Sequence, residues 1–169
     1  MKRLILTLAL VLGAAIASAQ NYAVVNSEKI FKSIDQYNQA ITQLDQMAND
    51  YQKQVDAKFE EVEKIYNAYM ARRAQLSQAS QQANEENILK LEQEAQKYQE
   101  AIFGTDGELM KKRLELIQPI QKKVFDTIKK YAEQKGYDMI IDISQNATML
   151  YYSSKADKTT ELIAILKAE

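Results

Sequence analysis

The feature that most constrains this chain is a run of apolar positions that opens at Tyr37 and keeps coiled-coil spacing. Its members are Tyr37, Ile41, Leu44, Ala48, Tyr51, Val55, Phe59, Val62, Tyr66 and Tyr69, separated by steps of 4, 3, 4, 3, 4, 4, 3, 4 and 3. Two successive four-residue steps at Tyr51, Val55 and Phe59 make one stutter in an otherwise heptad-like seam. The residues between are mostly Gln, Lys, Glu, Asp and Asn, so one face is a seam and the other is solvated.

Between Leu76 and Ile88 the pattern lapses into a Ser-, Gln- and Ala-rich stretch, residues 77–84, with neither apolar anchors nor a proline. This predicts the turn of a helical hairpin, with a continuous, frayed helix as the alternative. The spacing resumes at Ile88, Leu91, Ala95, Tyr98 and Ile102 and continues through Leu109, Leu114, Ile117, Val124, Ile128 and Tyr131. With a turn near residue 80, each limb runs for about 40 residues, roughly 60 Å at 1.5 Å per residue. An ordinary globular helix has about 11 to 12 residues. A lone hairpin this long buries one stripe only, so residues 36–119 read as an arm rather than a conventional core.

Two features interrupt the returning limb: Gly104 and Gly107, and Pro119. The glycines are either a tolerated defect in a solvated helix or a hinge that lets the arm bend. Pro119 marks a kink where the limb leaves the arm.

Residues 20–35 and 120–169 form the other part. Tyr22, Ala23, Val24 and Val25 make a short buried strand, and Asn26 or Ser27 caps a helix carrying Ile30 and Phe31. Beyond Gly136, a helix C-cap, residues 138–143 and 148–152 read as two strands joined by a turn at Ser144, Gln145 and Asn146. A last helix carries Leu162, Ile163, Ile165 and Leu166 and is capped by Asp157 or Thr159. The fold class is therefore α+β, predominantly helical: a long antiparallel coiled-coil hairpin arm on a small three-stranded body. Three short strands cannot bury a self-sufficient core in a monomer, so the body is expected to oligomerise. The expected subunit contacts are Val24, Val25, Ile140, Ile141, Leu150 and Tyr152. The seam alone fits two, three or four helices.

The first nineteen residues read as an address. Lys2 and Arg3 precede the apolar run from Leu4 to Ile16, and Ala17, Ser18 and Ala19 form a small-residue cleavage pattern before Gln20. The run is shorter than the about twenty residues a spanning helix needs, and no second stretch could cross a bilayer. The expected mature chain starts at Gln20 and lies outside the cytoplasm, without stable membrane insertion.

That mature chain carries 20 basic and 23 acidic residues, a net charge of -3, which gives no global drive toward nucleic acid or anionic lipid. With His 0 and Cys 0, the usual zinc ligands and the usual base for a Ser or Cys nucleophile are missing. With no glycine-rich phosphate loop among four glycines either, the reading is non-enzymatic, with no catalytic, metal or cofactor-binding residue to name.

In this order the segments resemble the Skp/OmpH family of periplasmic chaperones over essentially the whole mature chain. The resemblance rests on Tyr22-Ala23-Val24-Val25-Asn26-Ser27-Glu28-Lys29-Ile30-Phe31, on Ile120-Gln121-Lys122-Lys123-Val124, and on Gly136-Tyr137-Asp138-Met139-Ile140-Ile141-Asp142. Its last parts are Tyr151-Tyr152-Ser153-Ser154 and Asp157-Lys158-Thr159-Thr160-Glu161-Leu162. It implies a homotrimer whose β-rich body carries three arms around a cavity. It also implies ATP-independent holding of unfolded outer-membrane proteins in the periplasm. The different-class alternative is an envelope spacer or adaptor that uses the same heptads on one fixed partner.

One departure limits what the resemblance carries. The best-known members are strongly basic, whereas residues 33–105 hold 12 acidic and 7 basic side chains here. A cationic cavity, and lipopolysaccharide binding attached to one, is not implied for this chain. The only basic region is Lys111, Lys112, Arg113, Lys122, Lys123, Lys129 and Lys130, which reads first as solvated helix surface. Ten tyrosines and scattered methionines are suited to adaptable contacts, yet spacing alone singles out no client-binding residue.

Overall fold

A computed structural model describes residues 21–145 and 148–168. Ala17, Ala19 and Gln20 of the expected cleavage site lie outside them. The elements run β1 (Tyr22–Val25), α1 (Ser27–Lys32), α2 (Asp35–Arg72), a 3-10 turn (Arg73–Gln75), α3 (Gln78–Phe103), α4 (Glu108–Lys135), β2 (Met139–Asp142) and α5 (Thr159–Ala168). The protein is predominantly helical, and two compact units divide it: residues up to 35 with those from 121 onward, and residues 36–120.

In the first unit β1 and β2 pair in parallel, Tyr22 opposite Met139 and Val25 opposite Asp142. The other edge of β1 is met by residues 156–158: Val24 N–H donates to the Ala156 carbonyl at 2.8 Å, and Lys158 N–H donates to the Val24 carbonyl at 2.9 Å. β1 is thus bonded along both edges, with Ala23, Val24 and Val25 buried and Tyr22 exposed. Val25, Ile30, Val124, Tyr131, Leu162 and Leu166 form the core, flanked by Phe31, Ile128, Tyr137 and Ile140.

The sheet differs from the expected three-stranded element. Residues 148–152 form no strand, and Leu150 and Tyr151 are 96% and 83% exposed. Their composition suits a pleated, half-buried surface, but a strand needs a ladder partner, and the place beside β1 is taken by the single bridge from Val24 to Asp157.

The local signals around this unit resolve cleanly. Asn26 caps α1, its side chain accepting from Lys29 N–H. Gly136 has φ 68°, and the bonds Gly136 N–H to Glu133 O and Tyr137 N–H to Ala132 O close a Schellman cap in which Tyr137 stacks on Tyr131. Of the two residues offered as a cap for α5, Asp157 does so, accepting from Thr159 N–H at 2.9 Å. Thr159 Oγ1 instead accepts from Asn26 N–H at the end of β1.

In the second unit α2 runs 38 residues, about 57 Å at 1.5 Å per residue, with no glycine or proline to break it. Only Ala40, Leu44, Val55 and Tyr69 of α2 are buried, one narrow stripe. The spacing placed Tyr66 on that stripe, but it is 47% exposed, and its neighbour Ile65 is half-buried instead. The helix break falls at residues 73–77, and residues 78–84 are helical. Ser77 accepts from Ser80 N–H as the cap of α3, while the Gln81 amide donates to the carbonyls of Arg73 and Leu76. The polar stretch read as a turn is therefore the cap and the first two turns of a helix.

Facing side chains tie α2 to α3 and to the start of α4. Tyr69 meets Glu85, and Tyr98 donates to the Gln54 amide oxygen at 2.5 Å while Lys58 sits 4.9 Å over its ring. Ala40 and Leu44 cluster with Leu109 and Ile117. Pro119 lies inside α4, whose helix continues through it although the Glu115 carbonyl loses its usual donor.

Candidate functional site

The end of α2 presents Tyr66, Tyr69 and Met70, the 3-10 turn that follows adds Arg73, and the third to fifth turns of α3 present Glu85, Ile88, Leu89 and Glu92. Both sets have the spacing i, i+3, i+4, i+7, which puts each on one helix face. Between the two faces lies a groove of about 350 Å³, at the lower end of ligand-sized cavities.

A closed hydrogen-bonded triad lines this groove, with Tyr69 buried and Arg73 and Glu85 half exposed. Tyr69, 3% exposed, donates its hydroxyl to Glu85 Oε1 at 2.5 Å. Arg73 Nε donates to the same hydroxyl oxygen at 3.0 Å, and Arg73 also approaches Glu85 Oε1 at 3.4 Å. Burial, then the hydrogen bond to Glu85, pushes the Tyr69 pKa up, so the phenol stays neutral and donating. The bond to Tyr69 and the Glu85 charge raise that of Arg73. Beside this polar triad the lining is apolar: Tyr66 and Met70 are each 47% exposed, and Leu89 is 55% exposed. A hydrogen-bonded triad beside exposed, adaptable Tyr, Met and Leu side chains can accept varied apolar groups.

A second depression in the same unit, about 110 Å³, is lined by Lys58, Glu61, Val62, Leu91, Glu94 and Ala95. It is narrower and mostly polar. Among the described residues no group of three His, Cys, Asp or Glu side chains is placed to hold a metal, and no helix is long and apolar enough to cross a membrane.

The residues expected at subunit contacts fall into two classes. Val24 and Val25 are 1% and 3% exposed, buried in the chain's own core, and Ile140 and Ile141 are half-buried. Leu150 and Tyr152 are exposed, together with Tyr22, Phe125, Met139 and Tyr151.

Gly104 and Gly107 bracket a true break between α3 and α4. A Cβ on Gly104 would stand 2.4 Å from the Glu100 carbonyl oxygen, and one on Gly107 would stand 2.4 Å from that of Ile102. These glycines are needed for close backbone approach, whatever motion they permit. In the basic region Lys112 pairs with Glu115, Lys122 with Asp126 and Lys129 with Glu133. Much of its charge is balanced along its own helix.

Sequence reasoning named no residue of the groove as a binding site, although its signal was present. Met70 and Leu89 lie off the seam spacing while Tyr66 falls on it, and the doubled i, i+3, i+4, i+7 pattern on either side of the break could have located the pair of faces.

A search of curated proteins finds no match to the chain. Residues 21–166 match the family model described as outer membrane protein (OmpH-like), and the chain belongs to that family.

Proposed function

We propose that this protein is an ATP-independent periplasmic holdase that binds unfolded outer-membrane proteins and keeps them from aggregating in transit. The observation that carries the reading is the family match across residues 21–166. In this reading residues 36–120 are an antiparallel coiled-coil hairpin that serves as an arm. Support comes from facing residues, whose numbers rise on one side as they fall on the other: Tyr69 with Glu85, Gln54 with Tyr98, and Ala40 and Leu44 in one cluster with Leu109 and Ile117.

Residues 21–35 and 121–168 are the oligomerisation body of a homotrimer. Leu150 and Tyr152 are subunit contacts, with Ile140 and Ile141 at the margin and Val24 and Val25 as buried support beneath. An exported chain with its leader removed before Gln20 fits this location. Gly104 and Gly107 are the arm's hinge.

Unfolded barrel proteins expose apolar and aromatic segments with unpaired backbone groups, and their hazard is edge-to-edge association. Several arms on one assembly raise the effective concentration of each weak contact, so capture needs no tight single site. With 12 acidic and 7 basic residues over 33–105, the grip depends on distributed apolar and polar contacts rather than on cationic attraction.

The test is dilution of a urea-denatured outer-membrane protein into buffer with the mature protein and no ATP. Light scattering is expected to fall as the protein reaches excess. Scattering that is unchanged at excess defeats the holdase reading and returns the chain to the fixed-partner adaptor. Native mass spectrometry of the same mixture is expected to show a trimer carrying one client.

A further inference from the structure

We infer that the groove between the two helical faces is a docking site for an extended segment of unfolded chain that presents an aromatic side chain flanked by basic residues. The inference deepens the holdase reading and rests on it. Three observations on the groove define the occupant. Its volume of about 350 Å³ holds one large ring with its neighbours but no folded element. Tyr66, Met70 and Leu89 form an exposed apolar lining, and the polarizable thioether of Met70 suits contact with an aromatic ring edge.

Charge selects the flanks. Glu85 is committed to Tyr69 and Arg73, and Arg73 is committed to Tyr69 and Glu85, so their charges oppose each other within the triad. Glu92 is the further charged lining residue, so with one arginine against two glutamates the lining carries a net charge of -1. A lysine or arginine beside the docked ring meets complementary charge there, whereas a glutamate meets repulsion.

The absence of tryptophan from the chain makes the occupant directly observable. The probe is a synthetic extended peptide with one tryptophan between lysines. The comparison peptides replace the lysines by glutamates or move the tryptophan into a serine-rich context. All are mixed with the intact mature protein, and tryptophan emission is followed. The lysine-flanked peptide is expected to shift to the blue and saturate, and the glutamate peptide is expected to bind far less.

Leu89→Asp and Met70→Asp, at exposed positions, should each weaken the lysine-flanked peptide by about tenfold or more, the loss expected when one apolar contact is replaced by a solvated charge. Glu92→Lys should reverse the preference between the two charged peptides. Equal binding of both peptides, or binding that survives Leu89→Asp and Met70→Asp, overturns the inference. So does a change in oligomer size in those variants without loss of peptide binding, which makes the groove a contact between copies. The aggregation assay on the unmodified protein separates the two levels. A wild type that suppresses aggregation while its variants bind peptide normally sinks the groove and leaves the holdase, whereas a wild type that fails to suppress it sinks the holdase.

Discussion

Leu162 and Leu89 allow burial to be tested with chemistry held constant, because the same Leu→Ala change can be made at both. Leu162 is 0% exposed and packs among Val25, Ile30, Val124, Tyr131 and Leu166. Removing its terminal carbons gives up the transfer term of about 1.5–3 kcal/mol for a buried leucine, and the cavity left behind brings the total to about 2–5 kcal/mol. Leu89 is 55% exposed on a helix surface, where alanine is an equally good helix former, so Leu89→Ala should stay within about 0.5 kcal/mol. For a unit this small, each kcal/mol moves Tm by roughly 4–8 °C, so Leu162→Ala should melt at least about 8 °C lower.

The assay is urea unfolding followed by circular dichroism, with wild type and both variants at one protomer concentration because any oligomer links stability to concentration. The midpoint should fall sharply for Leu162→Ala and stay in place for Leu89→Ala, with unchanged slopes. A loss below about 1 kcal/mol at Leu162, or equal losses at the two sites, would refute the placement of the core.

Gly107→Ala should destabilise by about 1–3 kcal/mol, because the added carbon meets the backbone of Ile102 and Gly104 rather than a yielding side chain. At Gly136 nothing lies within 4 Å of an added Cβ, so Gly136→Ala should cost only the left-handed backbone penalty of about 1–2 kcal/mol. Thermal melts of both variants check these values. Burial raises the pKa of Asp142, but hydrogen bonds from Ser27 and Ser144 outweigh it and hold the carboxyl below the ordinary aspartate value. A depressed folded pKa gives stability that is present above the unfolded value of about 4 and is lost as pH falls through the folded one. Wild type should therefore lose more stability than Asp142→Asn between pH 6 and pH 2, and parallel losses in urea midpoints would contradict this. Ser77→Ala should cost about 1 kcal/mol through the lost cap of α3, read as a lower urea midpoint.

Much of this protein was legible in the order of its residues, because local rules governed it. Helices persist where glycine and proline are absent, as between Asp35 and Arg72, and Asn26 and Gly136 cap helices by chemistry that needs no distant partner. The apolar stripe through Leu44, Val55 and Tyr69 follows from a repeat that only a helix can turn to one side. Tertiary structure decided what depends on a partner across space. It gave the far edge of β1 to residues 156–158 and left residues 148–152 outside the sheet, since strand propensity without a ladder partner fixes nothing. It made Ser77 a cap instead of the start of a turn, and half-buried Ile65 where spacing had favoured Tyr66. The groove is the strongest case: Tyr66, Met70 and Leu89 become one surface only when α2 and α3 face each other, and that proximity is a property of packing rather than of either segment.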